Sequence, residues 1–596
     1  MDVPQSIARQ RMSEQLPYPN PSLGDAAGFA AANFAPRHVA DFSLASQRKG
    51  PIRRVLLVFT LLLGLFLATL DTSVVATSLI TISEEFNDYG NAPWILLSYL
   101  LTYMGCAVGI AKFSDIYGRR ALLLYSWSMF MLFSAVCAGS PNMKLLIIGR
   151  ASQGIGGSGL YSLAQTCLLE HGPVDKPSLM GAIIGITLGL AFLLGPILGG
   201  VIAAKITWRW IFALNLPVGL FAIICILCCY PRDRRAHRVF SRTGFRKIDF
   251  IGMMSLFSGS VCLVFAIERG GSPLYGWRHA SVILAFVISG MAWIIFVSCE
   301  TWLFFKSCAY PDHIGCIHIE PVFPVRLALR KPFMAGLAVT FLTGAPYVAL
   351  SVTIPERMQV LQQENPLRAG IHLLPMLGGC AMGSFLSGAI CRKSNNTALL
   401  LTVAAVSQLL GISLMLVLSS AESSFVPAYG FTLIFGLGTG LVFGAATILS
   451  AVETDSSRDH AVAQGAIAQA RALGGSLGVA ICTALFNHRL GALTQHLSQQ
   501  QLVTLYRTPT ASSQWPDNLL RLIKEVYATS FKDQTLFMIG VCSVMVVAAL
   551  FTWEKSPKPI TCLGTHAQQA NKTSLQQGEH GNNGTEMSDM GSIRSV

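Results

Sequence analysis

About fourteen apolar stretches recur along the chain, near 55–80, 94–113, 121–139, 145–168, 179–203, 211–230, 248–267, 280–299, 334–354, 369–391, 398–419, 427–452, 465–487 and 535–553. A bilayer core of about 30 Å takes roughly 20 such residues as a helix, since every backbone polar group must then be satisfied within the protein. The fold class this predicts is an all-α polytopic membrane protein. A chain of 596 residues that is 52% hydrophobic and only 12% charged fits that class better than a string of soluble domains.

Charge sets the expected orientation. Arg48, Lys49, Arg53 and Arg54 precede the first span, Arg119 and Arg120 follow the second, and Arg232, Arg234, Arg235, Arg238, Arg242, Arg246 and Lys247 follow the sixth. The first outer loop instead carries Glu84, Glu85 and Asp88. An even number of spans and the positive-inside rule put both termini in the cytosol. The net charge of +13 lies in short loops between spans, so it reflects membrane orientation and implies no nucleic acid partner. Of the 15 cysteines, Cys106, Cys137, Cys167, Cys225, Cys262, Cys380, Cys482 and Cys542 lie inside apolar runs, where a thiol behaves as a small hydrophobe.

An internal repeat appears when spans one to six are laid on nine to fourteen, leaving seven and eight as an inserted pair. QGIGGSG (153–159) in span four answers GLGTG (436–440) in span twelve, and GPILGG (195–200) in span five answers GGSLG (474–478) in span thirteen. The expected organisation is a disordered cytosolic tail over 1–50, a six-helix bundle over 51–232, a basic loop, two inserted helices and a linker over 233–333, a second bundle over 334–555, and a disordered cytosolic tail over 556–596. Sequons at Asn395, Asn571 and Asn583 would then stay unmodified. In the outer segment 488–534, Leu519, Leu522, Ile523 and Val526 share one helical face, which predicts a helix lying on the outer surface. Pro346, Pro355, His372 and Pro375 are expected to interrupt spans nine and ten.

Charged groups inside a bilayer are expensive and so are candidates for function. Asp71 lies about 24 Å into span one, counted from Val55 at 1.5 Å per residue, among Thr72, Ser73 and Thr77. A carboxyl there can take up and release a proton. Arg150 in span four lies at a similar depth and keeps its charge, so pairing with Asp71 in one conformation only would couple a proton to movement. In AKFSDIYGRR (111–120), Asp115, Gly118, Arg119 and Arg120 can latch one conformation at the cytosolic mouth, where a plain positive-inside turn is the alternative.

Span five, Gly181 to Gly200, spaces glycines at 181, 185, 189, 195, 199 and 200, with Pro196 beside Gly195. Small residues at that spacing allow backbone-distance packing, and the proline loosens the helix, so Gly195, Pro196, Gly199 and Gly200 are read as hinge and seal. WRWIFALNLPVG (208–219) reads as an interfacial anchor, although Asn215 and Pro217 are odd choices for one. Arg471 is expected near the cytosolic headgroups with no transport role. Phe192, Phe341, Tyr347, Met376 and Phe443 are the expected lining of an apolar pocket. Cys308, His313, Cys316 and His318 match no zinc spacing, so no metal is expected.

In this order, the segments resemble the major facilitator superfamily, specifically its fourteen-spanner drug/proton antiporters of the TCR/Tet type, and most of all the fungal toxin-efflux members. Residues 70–82 resemble the family's first-span motif around Asp71, 111–120 its loop motif, Arg150, Gln153 and Gly154 its fourth-span motif of proton transfer, and 195–200 its antiporter motif. WRWIF with NLP, GG with Y-x-W (270–277) and PLRAGIHLLP (366–375) are similar too. Ala111, Ala191, Ala76 and Ile80 depart from the usual glycines, asparagine and proline. Residues 306–319 resemble nothing in the family, as a gene-model artefact such as a retained intron would.

The resemblance implies export of apolar or amphipathic small molecules (a toxin, secondary metabolite or drug) in exchange for protons by alternating access, from a monomer in the plasma membrane. No cofactor beyond the proton gradient is implied. Uptake of a siderophore, movement of basic amino acids across a vacuolar membrane, and a sensor that no longer transports are the alternatives. An acidic, polar pocket would favour basic amino acids. The chain lacks GxxxxGK[ST] and any nucleophile–base constellation, so it is read neither as a self-contained ATP-driven pump nor as an enzyme.

Overall fold

The computed structural model describes residues 51–558 apart from 172–176, 231–248, 273–275, 310–320, 324, 393, 420–425, 455–456, 492–516 and 555. The expectations placed on 1–50, on Arg232 to Lys247, on the 308–318 cysteine–histidine group and on the tail with Asn571 and Asn583 fall outside the described residues or side chains. No strand appears among the described residues. The principal helices are α1 (Pro51–Phe86), α2 (Ala92–Tyr117), α3 (Arg119–Ala138), α4 (Met143–His171), α5 (Pro177–Lys205), α6 (Arg209–Ala213), α7 (Asn215–Cys229), α8 (Phe250–Gly270), α9 (Ala280–Ala309), α10 (Lys331–Leu361), α11 (Pro366–Ile371), α12 (Leu374–Ile390), α13 (Thr397–Leu414), α14 (Val426–Glu453), α15 (Ser457–Gly491) and α16 (Asp517–Leu550).

Among the described residues, thirteen spans are long and apolar enough to cross a membrane. The expected count of fourteen includes α4, which at 29 residues is long enough but carries Arg150, Gln153 and a run of glycines. Two other readings differ from expectation, and the break expected in span ten is present. Pro346 and Pro355 do not interrupt α10, which runs unbroken over 31 residues, because packed neighbours in a membrane protein can satisfy the carbonyls a proline leaves behind. Span ten does break, at His372–Leu373, and Pro375 then sits in the first turn of α12, where its missing N–H is no loss. The surface helix expected around 519–526 is instead the start of α16, continuous with the last span, and Ile523 and Tyr527 pack against Val360, Leu361, Phe486 and Leu490.

The internal repeat is written in the packing. Pairs α1–α5, α1–α7, α2–α4, α3–α4 and α3–α7 build the first half, and α10–α15, α10–α16, α12–α14, α13–α14 and α13–α16 build the second. Glycines make the closest contacts in register. Gly154 faces α2 and Gly156 faces α3, as Gly436 faces α12 and Gly438 faces α13. Gly195 and Gly199 face α1, as Gly474 and Gly478 face α10. The halves meet along a seam where α2 packs on α15 and α5 packs on α11 and α12. Helix α8 packs on both α2 and α15, and α9 packs on α8 while exposing Leu284, Met291, Ile294 and Phe305, the side chains of a lipid-facing surface.

Between α2 and α3 the whole connection is Gly118, with φ +93° and ψ 141°. Reversing two spans through one residue puts its backbone where a Cβ is strained. Gly118→Ala is expected to cost about 1–3 kcal/mol and lower the thermal unfolding midpoint in detergent. An unchanged midpoint would show that the turn tolerates a side chain.

Candidate functional site

Asp71 on α1 and Arg150 on α4, 3% and 0% exposed, form a buried ion pair in which Arg150 Nη1 donates to Asp71 Oδ2. Gln153 Nε2 and Asn215 Nδ2 donate to the other carboxylate oxygen at 3.1 and 3.4 Å. Both amides also donate to Ser134 Oγ on α3, at 2.8 and 3.2 Å. Arg150 is held further by Gln153 Oε1 at 2.8 Å and by the Ile95 carbonyl at 3.2 Å, with its guanidinium 4.3 Å from the Tyr99 ring centroid. Its Nη2 is buried without a hydrogen-bond acceptor. Helices α4 and α7 thus converge on the carboxylate of α1, and Ser134 of α3 ties their two amides together. A proton on Asp71 would remove the opposing charge from a guanidinium that cannot shed its own.

The other face of α1 lies on α5. Ser73 Oγ donates to Ala191 O and Ser78 Oγ to Gly199 O, each at 3.4 Å, and a methyl at Gly199 would lie 2.6 Å from Val74 O. The opposite side of α5 meets the second half of the molecule, where a methyl at Gly189 would lie 2.7 Å from Ala381 Cα and one at Gly200 2.6 Å from Leu367 Cα. Pro196 lies inside α5 and has no N–H for the Phe192 carbonyl one turn back. One helix therefore touches the Asp71 helix with one glycine face and the opposite half with another. The side chains of α5 before Ile183 are not among those described.

Phe192, Tyr347 and Phe443 meet at the seam, with ring centroids 5.3, 5.4 and 6.2 Å apart. Phe341 packs against the cluster of Met104, Ala472 and Leu473, while Met376 is fully buried with its carbonyl against Gly436. Arg471 is not at a headgroup surface. It lies well inside α15, donates to the Tyr161 hydroxyl of α4, and sits 4.4 Å from the Phe443 centroid, closing the seam together with Gln469, whose Nε2 donates to Met104 O at 2.7 Å. The first turn of α15, from Ser457 to His460, is polar, so the apolar run begins later than the helix does.

A cavity of about 690 Å³ occupies the half of the seam near the α1–α2 loop. Its wall includes Ala76, Leu79, Asp88, Glu268, Thr353, Glu356 and Phe486. None of the five expected lining aromatics and methionine is in that wall, although Tyr347 lies two residues from Ala349, which is.

At the α2–α3 turn the Asp115 side chain is not described; Arg119 donates to Ser114 Oγ, and Arg120 Nη2 donates to Leu227 O at 2.8 Å. Trp208, 1% exposed, donates to Glu85 and so joins the end of α1 rather than anchoring in lipid. Among the described residues no group of three or more His, Cys, Asp or Glu is placed to hold a metal.

Two helical halves in repeat, meeting on glycine-lined contacts around a seam cavity, have the architecture of a multi-pass membrane transporter. The sequence pattern of the Major Facilitator Superfamily matches residues 61–479, and the chain belongs to that family. The chain is 32% identical to the MFS-type transporter FPY5 of Fusarium mangiferae over 84% of each chain. It is 27% identical to an aspyridones efflux protein of Neocamarosporium betae, over 84% of this chain and 86% of that one. The fold is also that of a bacterial homologue of the human lysosomal transporter Spinster, crystallised inward-facing and unoccupied, with a TM-score of 0.54 at 12% identity over 85% of this chain and all of the other. A small-molecule substrate and a lipid bilayer are the partners this family membership establishes.

Sequence reasoning named Asp71, Arg150 and Gln153 and marked Asn215 as anomalous without giving it a place. Ser134 carried no signal, since one serine in an apolar helix is ordinary. Glu356 carries no signal of its own in a span whose pattern is dominated by its prolines.

Proposed function

We propose that this transporter exports apolar or amphipathic small molecules, such as a toxin, secondary metabolite or drug, in exchange for protons by alternating access. The observation that carries the reading is the buried Asp71–Arg150 pair, with Gln153, Asn215 and Ser134 around it. In the cycle proposed, protonating Asp71 releases Arg150 from its counter-ion, and α1 shifts against Gly195 and Gly199 of α5. Because α5 also carries Gly189 and Gly200 against α11 and α12, that shift reaches the seam. Pro196 supplies the bend and the Gly118 turn, with Asp115, Arg119 and Arg120, latches one end. Phe192, Phe341, Tyr347, Met376 and Phe443 are proposed to face substrate as the seam opens.

Both termini are assigned to the cytosol and the 690 Å³ cavity to the outer half of a plasma-membrane monomer. No cofactor beyond the proton gradient is required. The test deletes the gene, loads cells with a panel of amphipathic toxins and compares retention with the parent strain. Lower retention in the parent for at least one compound supports export; equal retention across the panel sinks it.

A further inference from the structure

The cavity in the loop half of the seam is not uniformly apolar. Ala76, Leu79, Val352, Val479 and Phe486 supply hydrocarbon, and among the described residues three carboxylates, Asp88, Glu268 and Glu356, line the same wall with a single cation, Arg269. Glu268 is compensated: Arg269 lies 3.5 Å away and Trp94 Nε1 donates to it at 2.8 Å. Asp88 accepts both of its hydrogen bonds from the Asn91 amide, at 3.0 and 2.9 Å. Glu356, half-buried on α10, has no basic partner among the described residues and accepts only from the hydroxyl of Tyr89, which belongs to the α1–α2 connection of the other half. One turn back on α10, Thr353 is 7% exposed, lines the cavity, and keeps its hydroxyl without a partner.

The wall therefore holds more negative charge than positive, beside apolar surface, in a space the size of a drug-like molecule. A carboxylate in such a site is poorly solvated and attracts whatever cation can reach it. We propose that this cavity selects amphipathic organic cations, with Glu356 as the residue that sets the charge preference and Tyr89 holding its place when substrate is absent. The inference rests on the export reading and names the substrate class for it. A cation at Glu356 displaces the Tyr89 hydroxyl, and so removes a bond between the two halves. Binding and release of the seam are thereby one event. Small hydrophilic cations lack the body that the Leu79, Val352 and Phe486 surface would cover.

Tetraphenylphosphonium and tetraphenylborate are matched in shape and opposite in charge, so comparing them isolates the sign of the site. Purified full-length protein in lipid nanodiscs is titrated with each, as are Glu356→Gln, Glu356→Asp and Tyr89→Phe. Glu356→Gln is expected to weaken phosphonium binding about tenfold without weakening borate. Glu356→Asp should keep most of the preference, and Tyr89→Phe should keep or strengthen phosphonium binding because the competitor for the carboxylate is gone. Equal losses for both ions in Glu356→Gln would overturn the charge assignment, as would phosphonium binding that the substitution leaves unchanged. Loss of phosphonium binding in Tyr89→Phe to the level of Glu356→Gln would make the pair a structural latch and overturn the proposal as well. Displacement of phosphonium by lysine at equal concentration would overturn the amphipathic part. Each of these leaves proton-coupled export standing, whereas export failing in the retention assay while phosphonium still binds through Glu356 would remove the export reading and leave the site.

Discussion

Asp71→Asn is expected to abolish proton-driven export. Asparagine keeps the shape and leaves Arg150 buried with only neutral partners, and breaking one side of such a pair is worth about 3–5 kcal/mol. Two consequences separate coupling from folding. Asp71→Asn alone should lower the unfolding midpoint and the yield of folded protein. Removing both charges, as Asp71→Asn with Arg150→Gln, should recover much of that stability, because the uncompensated guanidinium is gone, yet still fail to transport. Export by the single or the double variant at the wild-type rate would show that the pair is structural. Export restored together with stability in the double variant would show the same.

Enlarging the glycines of α5 should have effects that depend on which face they lie on. At Gly195 an added Cβ would lie 2.7 Å from Ser73 Cβ, inside one half, whereas at Gly200 it would lie 2.6 Å from Leu367 Cα, across the seam. Overpacking of this kind costs typically 1–3 kcal/mol, and more where backbone must move. Gly195→Val is expected to lower stability and yield, since no arrangement of the first half avoids the contact. Gly200→Val is expected to leave folded protein with its seam forced apart: transport falls at least tenfold while the unfolding midpoint moves much less. A spin-label distance between α5 and α12 reads this directly, and an unchanged distance in Gly200→Val would contradict the seam assignment.

These two sites were unequally visible in the sequence. A carboxylate and a guanidinium at matching depth in two apolar runs are legible because a bilayer tolerates few lone charges. The glycine spacing in span five was legible as close packing, but its division between α1 on one side and α11 and α12 on the other is a matter of helix phase and partner. Arg471 was misplaced for a specific reason. Helix α15 begins at Ser457, and its first turns carry Arg458, Asp459 and His460, so hydropathy starts the span late and puts Arg471 at its edge. The same effect hid the front of α16, where Asp517, Arg521, Lys524 and Glu525 precede the apolar run. Prolines misled in the opposite direction: Pro346 and Pro355 look like breaks, and α10 absorbs both. The pocket was read from apolar residues alone, and Glu356, whose partner Tyr89 is 267 positions away, has no local pattern to announce it.

Proton exchange drives the proposed cycle. The most direct measurement reconstitutes the purified protein in liposomes loaded with a pH-sensitive dye and imposes a gradient of a compound identified by the retention assay. Wild-type protein is predicted to move protons against the direction of substrate flow, and Asp71→Asn to move none. Substrate crossing the wild-type membrane with no change in internal pH would contradict it.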